Sequence, residues 1–190
     1  MINQIGQIDL QILLTLNSLA VLLPVFVNKL FTEYLVYLMP IIFIIMFFFF
    51  GIKEKKAVMR AFLSAMVAWP LVANTLGQII NRPRPFSNGG IQELIFHRPT
   101  YSFPSDHAAA LFAVSISFWL SGYKKLGIFF FVGSIAICVF RVATAIHWPT
   151  DIFAGAGIGL LFGWLIWLAD QYLDKIYNIV LTLLKKAKLA

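Results

Sequence analysis

Residues 126–151 read LGIFFFVGSIAICVFRVATAIHWPTD, and the reading of this stretch decides the fold. Leu126 to Ala145 supplies 20 mostly apolar residues, the length an α-helix needs to cross roughly 30 Å of hydrocarbon. One full charge, Arg141, stands inside that run. A guanidinium at the centre of a span costs ~2.5–3.5 kcal/mol even on a permissive insertion scale. His147 follows six residues later and Asp151 four after that. A guanidinium and two titratable groups at one membrane face read as a site rather than as a snorkelling arginine.

The rest of the chain has the same character. Of its 190 residues 61% are hydrophobic and 12% charged, with a mean hydropathy of +0.86, whereas soluble domains are about half apolar and a quarter charged. The excess apolar surface must face lipid, which excludes a soluble helical protein. Further spans are expected over Leu30 to Phe50, Ala61 to Ile80 (kinked or thinned at Pro70), Ser105 to Leu120 and Thr150 to Tyr172. Asp9 to Val27 is interrupted by Gln11, Thr15, Asn17 and Ser18, as suits an interfacial helix or a poor first span. Leu173 to Ala190 forms an amphipathic basic tail. The expected fold is all-α integral membrane, a helical bundle of five to six transmembrane spans, with residues 1–190 as a single membrane-embedded domain. Cys138 is the only cysteine, so no internal disulfide forms. Met1 to Gln11 carries no basic n-region, and the spans themselves are expected to direct insertion.

The net charge of +7 sits at the ends of apolar runs, where lipid headgroups lie; this points to membrane lipids and away from nucleic acid. Lys53, Lys55, Lys56, Arg60, Lys124, Lys125, Lys175, Lys185, Lys186 and Lys188 fall on one side of the expected topology, the cytoplasmic one by the positive-inside rule. Lys29, Arg82, Arg84 and Arg98 fall on the other, with Arg141 near them. The 24-residue connection Asn81 to Pro104, with Pro83, Pro85, Asn88-Gly89-Gly90 and Pro99, is too long to be a mere turn and is expected to be extracytoplasmic, in a multi-pass plasma-membrane protein.

That connection carries two more motifs. Asn81-Arg82-Pro83-Arg84-Pro85-Phe86 places two guanidinium groups in an extended stretch, against the charge trend. Phe103-Pro104-Ser105-Asp106-His107 opens a span; Ser105 or Asp106 suits the N-cap, and the free N–H groups at a helix start bind anions. Capping alone explains Ser105 and Asp106 but does not call for His107.

Arg84-Pro85, then Pro104-Ser105-Asp106-His107, then Arg141-x5-His147-x3-Asp151 resemble, in order and spacing, the type-2 phosphatidic acid phosphatase superfamily, whose phosphate site is shared with vanadium haloperoxidases. The family pattern is Lys-x6-Arg-Pro, Pro-Ser-Gly-His and Ser-Arg-x5-His-x3-Asp. Gly77 stands at the lysine position, Asp106 at the glycine and Phe140 at the serine. The Pro-Ser-Asp-His form and the short chain are most similar to the small bacterial undecaprenyl-diphosphatases associated with bacitracin resistance. The resemblance implies that His147 attacks phosphorus to give a phosphohistidine, that Asp151 orients His147, and that His107 is the general acid and base. Arg84, Ser105 and Arg141 would bind phosphate oxygens, with Arg82 a candidate for the missing lysine's charge. No metal or other cofactor is implied, since arginines neutralise the phosphate. A zinc site of His107, His147 and Asp151 is disfavoured because those arginines would repel a cation. The expected substrate is a lipid phosphate, first undecaprenyl diphosphate, with phosphatidylglycerol phosphate, phosphatidic acid or lipid A phosphate as alternatives and a noncatalytic membrane protein as a remote one.

Gly155, Gly159 and Gly163 recur every four residues, a close-packing face. Such a face is more often internal to a bundle than the seam of a homodimer, which it would also allow. Gly155-Ala156-Gly157-Ile158-Gly159 lies within a span with no strand before it and is not a dinucleotide loop.

Overall fold

The computed structural model describes residues 4–87 and 90–187. Asn88, Gly89 and Lys188, used above in the turn and charge readings, lie outside the described residues. The α-helices are α1 Gln4–Val21, α2 Val25–Lys29, α3 Leu38–Phe49, α4 Ile52–Met66, α5 Asn74–Ile80, α6 Asp106–Leu120, α7 Lys124–Ala143, α8 Pro149–Leu168 and α9 Asp170–Lys186. Among the described residues there is no strand.

Helical turns join α2 to α3, giving one span, Val25–Phe49, which starts ahead of the expected Leu30 because Pro24 sets its N-terminus. The next helix also starts earlier than Ala61. Lys53, Glu54, Lys55 and Lys56 are good helix formers, and they lie within α4. A wide π turn, Val67–Ala73, links α4 to α5 around Pro70; proline has no N–H to donate, and widening the helix accommodates the lost bond. Lys124–Ala143 and Pro149–Leu168 are also long and apolar enough to cross a membrane.

Helix α6, with 15 residues, is shorter than a span facing lipid, and it is the central helix. Ala108 through Ser115 are all buried, so its polar groups are protected by neighbouring helices rather than by its own length. The tightest contact is with α8. A Cβ at Gly155 would fall 2.4 Å from the Ser105 carbonyl oxygen, and one at Gly159 2.4 Å from that of Ala109. Only glycine lets the two backbones approach this closely. The glycine face is thus used inside the bundle, and it locks the start of α6 against α8.

The partners of α1 gather at one end of the bundle: Leu13 packs with Val142 and Trp148, and Asn17 Nδ2 donates to the carbonyls of Ala143 (2.8 Å) and Gln92 (3.0 Å). At the other end Arg60 pairs with Asp170 (2.5 Å) and Lys56 with Asp174 (2.5 Å), tying α4 to α9.

Candidate active site

The site begins where α7 stops. The backbone N–H groups of Ile146 and His147 both donate to the Arg141 carbonyl (3.1 and 3.2 Å), closing the helix. Ala145 takes the left-handed conformation (φ 64°) that glycine usually supplies there, and it is fully buried. A non-glycine residue held at such a φ costs of order 1 kcal/mol, so the packing around this turn over-determines it.

The turn delivers His147, which is 1% exposed. Its Nδ1 lies 2.8 Å from the Ser102 carbonyl. A carbonyl can only accept, so Nδ1 carries the proton and Nε2 keeps its lone pair. Nε2 is buried without a hydrogen-bond partner, and His147 lines a cavity of about 170 Å³. Burial pushes the imidazole down to about 4, the nearby Arg141 and Arg84 adding to the fall and Asp151 opposing it. The ring is therefore neutral, as a nucleophile must be.

Asp151 is arranged differently from the sequence expectation. Its Oδ2 accepts the Trp148 N–H (2.8 Å), capping α8, and its Oδ1 accepts from Arg82 (2.7 Å). Oδ2 stands 3.6 Å from His147 Nδ1, beyond a normal hydrogen bond. The direct contact to the ring is the Ser102 carbonyl, with Asp151 behind it as a fixed negative charge. Because both carboxylate oxygens are engaged, Asp151 is also a poor candidate to ligate a metal.

The two arginines of the first motif part company. Arg82 is bound by Asp9 (2.8 Å), Asp151 (2.7 Å) and Thr150 (2.7 Å), and its guanidinium lies 5.1 Å from the centre of the Trp148 ring. It is a structural clamp, and it is not among the residues lining the cavity. Arg84 does line it; the side chain donates to the Ile146 carbonyl (2.9 Å) and Thr100 (3.2 Å), leaving Nε without a partner. Arg141, 4% exposed, donates to the Thr32 carbonyl (3.1 Å) and also has a free Nε. Ser105 is fully buried at the N-cap of α6, where its Oγ accepts from Ala108 N (3.4 Å) while its own N–H donates to the Asp151 carbonyl (3.0 Å).

His107 stands on the far side of Asp106, its Nδ1 2.9 Å from Asp106 Oδ1. It lines a second cavity of about 270 Å³, walled by Val36, Met39, Pro40, Ala110 and Leu111. Trp69 and Asp106 border both cavities, so the polar pocket and the apolar slot are neighbours.

Several lining residues were not anticipated. A Cβ at Gly77 would fall 2.3 Å from the Tyr101 ring; that ring fills the space over the position where the family has lysine, and its hydroxyl donates to Asn74. A glycine at a motif position is a signal that something bulky lies over it. Asp9 carried a signal too, as the one charged side chain in the sequence of α1. His97 and Thr100 carried none, because a loop residue's position depends on the whole loop.

Residues 58–175 match the model of the PAP2 superfamily, a range that takes in every residue from Arg82 to Asp151 just described. The chain belongs to the PAP2 superfamily. It is a membrane phosphatase of the PAP2 type, a hydrolase acting on phosphate esters. It is 27% identical over 141 residues to the bacitracin transport permease protein BcrC of Bacillus licheniformis, covering 73% of this chain and 68% of that protein. It is 26% identical over 150 residues to the undecaprenyl-diphosphatase BcrC of Bacillus subtilis (strain 168), covering 78% and 76%. The crystal structure of a transmembrane PAP2-type phosphatidylglycerolphosphate phosphatase from Bacillus subtilis superposes with a TM-score of 0.65 over 90% of this chain and 88% of that one, at 23% identity. That likeness speaks for the fold.

Proposed function

We propose that this protein is an undecaprenyl-diphosphatase, which hydrolyses the lipid diphosphate to the monophosphate and inorganic phosphate at the outer face of the plasma membrane. The observation that carries the reading is the adjacency of the two cavities: His147, with Nε2 unpartnered among the described residues, lines a polar pocket that shares Trp69 and Asp106 with an apolar slot bearing His107. A phosphoryl group in the first and a lipid chain in the second would place the bond to be broken between the histidines. The relatives named undecaprenyl-diphosphatase supply the substrate class.

In the first step His147 Nε2 attacks the terminal phosphorus; the P–O bond to the lipid monophosphate breaks as His107 donates its proton to the departing oxygen. In the second, water attacks the phosphohistidine, His107 takes the water's proton, and the P–N bond breaks to release phosphate. Arg84 and Arg141 present free N–H groups that would hold the nonbridging oxygens. The buried start of α6 at Ser105 adds the positive end of its helix dipole. Lipid binding and recycling of the carrier for cell-wall synthesis follow from the substrate and the membrane face.

The test is phosphate release by the purified protein from a panel of undecaprenyl diphosphate, phosphatidylglycerol phosphate, phosphatidic acid and lipid A phosphate, with and without EDTA. The diphosphate is expected to be cleaved fastest, EDTA to have no effect, and orthovanadate to inhibit competitively. Faster cleavage of phosphatidylglycerol phosphate would favour the second reading, suggested by the solved PAP2 structure named above.

A further inference from the structure

Asp106 reaches the cavity, and the proposed reaction gives it no role. Its carboxylate Oδ1 is 2.9 Å from His107 Nδ1 and 4.0 Å from His147 Nε2. It stands where the family pattern has glycine, beside the seat that an anionic phosphoryl group must reach. A negative charge there repels the substrate, whereas glycine would not. The hydrogen bond to His107 offers a compensating benefit. A carboxylate can only accept, so the proton resides on Nδ1 of His107 and the lone pair or second proton on Nε2. An imidazole without such an anchor divides its time between ring orientations and tautomers; one anchored by a carboxylate presents a single nitrogen to the reaction.

We propose that Asp106 is a positioning residue that forms with His107 a second histidine–carboxylate pair. It holds the His107 ring with Nδ1–H toward the carboxylate and Nε2 toward the lipid-bearing oxygen, and it stabilises the imidazolium that donates its proton there. The pair rests on the role given to His107 in the proposed function. The groups that face His107 are Asp106 from its own helix, Arg141 from α7 and Arg84 from the long connection. Asp106 in turn also faces His147 from the α7–α8 turn, and His97 from the connection senses the same charges. Two cations thus bear on the ring, and Asp106 is the carboxylate that offsets them.

The experiment uses the full chain in detergent with Asp106→Asn and Asp106→Gly. The chain has three histidines, so ¹⁵N-histidine NMR with His97→Gln and His147→Gln as assignment variants resolves His107. The wild type should show the Nδ1–H tautomer, and its midpoint should fall by about one pH unit in Asp106→Asn, the size expected for removing an adjacent charge. With lipid phosphate as substrate, kcat should fall about tenfold and KM should also fall, since a repelling anion has gone. The limb of the pH–rate profile that reports His107 should move by the same unit toward acid, and Asp106→Glu should restore part of kcat and of the limb's position. A purely structural role would leave the limb in place. An unchanged tautomer and midpoint in Asp106→Asn would overturn the pair, as would a limb that stays put while the NMR midpoint moves. A wild type that hydrolyses nothing on the panel would instead defeat the proposed function, leaving the NMR result to uphold or overturn the pair.

Discussion

Arg60 and Arg84 lie near opposite ends of α6, whose 15 residues separate them by roughly 22 Å, and they are treated in opposite ways. Arg60 donates through Nε to Asp170 (2.7 Å) and through Nη1 to Ser121 (2.5 Å), and its Nη2 completes the fork onto Asp170 (2.5 Å). Its hydrogen-bonding capacity is used within the protein. Among the described residues Arg84 faces no carboxylate at hydrogen-bond distance, and it, Arg141 and His147 each keep one buried nitrogen without a partner. Leaving a buried donor unpaired costs about 1–3 kcal/mol. Arg84 and His147 both line the polar cavity, where an unpaired nitrogen is open to an anion. A paired arginine holds the fold; an unpaired one is available to a substrate. The same contrast recurs over two residues, between the clamped Arg82 and the open Arg84.

The largest effect that would test this contrast is at His147. His147→Ala should lower phosphate release by about 10³-fold or more while the protein remains monodisperse and folded; substantial retained turnover would break the comparison at its centre. Next come the neighbouring arginines. Arg84→Lys should reduce kcat by about 10²-fold with little change in thermal stability. Arg82→Leu should do the reverse, destabilising the fold by about 3 kcal/mol, because it strands the buried carboxylates of Asp9 and Asp151. Equal effects of the two substitutions on both quantities would erase the distinction between clamp and open site.

A pH effect of similar size should appear in stability. His147 titrates at about 4 in the folded protein against an ordinary 6.5, so below pH 6.5 the unfolded chain takes up a proton that the folded one refuses. Stability contributed by the neutral ring is full above pH 6.5 and falls as pH drops toward 4, by about 1.4 kcal/mol per unit. Unfolding midpoints measured from pH 7 to 4 should fall less steeply in His147→Asn than in the wild type. The smallest effect on turnover belongs to the basic end. Arg60→Met should cost about 1–3 kcal/mol, because Asp170 loses its fork to a buried arginine, and leave turnover unchanged; a large loss of activity would mean that this end communicates with the site.

The sequence made the fold class and the three motifs legible for a plain reason. Runs of about 20 apolar residues have few physical solutions, and a charge such as Arg141 inside one is too costly to be incidental. Helix starts were less legible, because Ile52–Met66 owes its charged first turns to partners on α9, more than 100 positions away.

By itself, then, the sequence determined a membrane helix bundle, the order of its motifs and the residue types proposed to meet phosphate. Tertiary structure alone decided how each residue is used. Arg82 and Arg84 are indistinguishable as letters, and the positions of Asp9 on α1 and of Thr150 and Asp151 on α8 make the first a clamp. Asp151 lies one helical turn from His147 by spacing, yet the Ser102 carbonyl makes the direct bond to the ring. Ser105 and Asp106 both suited the cap, and the cap is Ser105. Hydrophobic periodicity and charge cost are local properties of a chain. The partner of a polar atom is set by which distant backbone and side-chain groups the packed helices bring within about 3 Å of it.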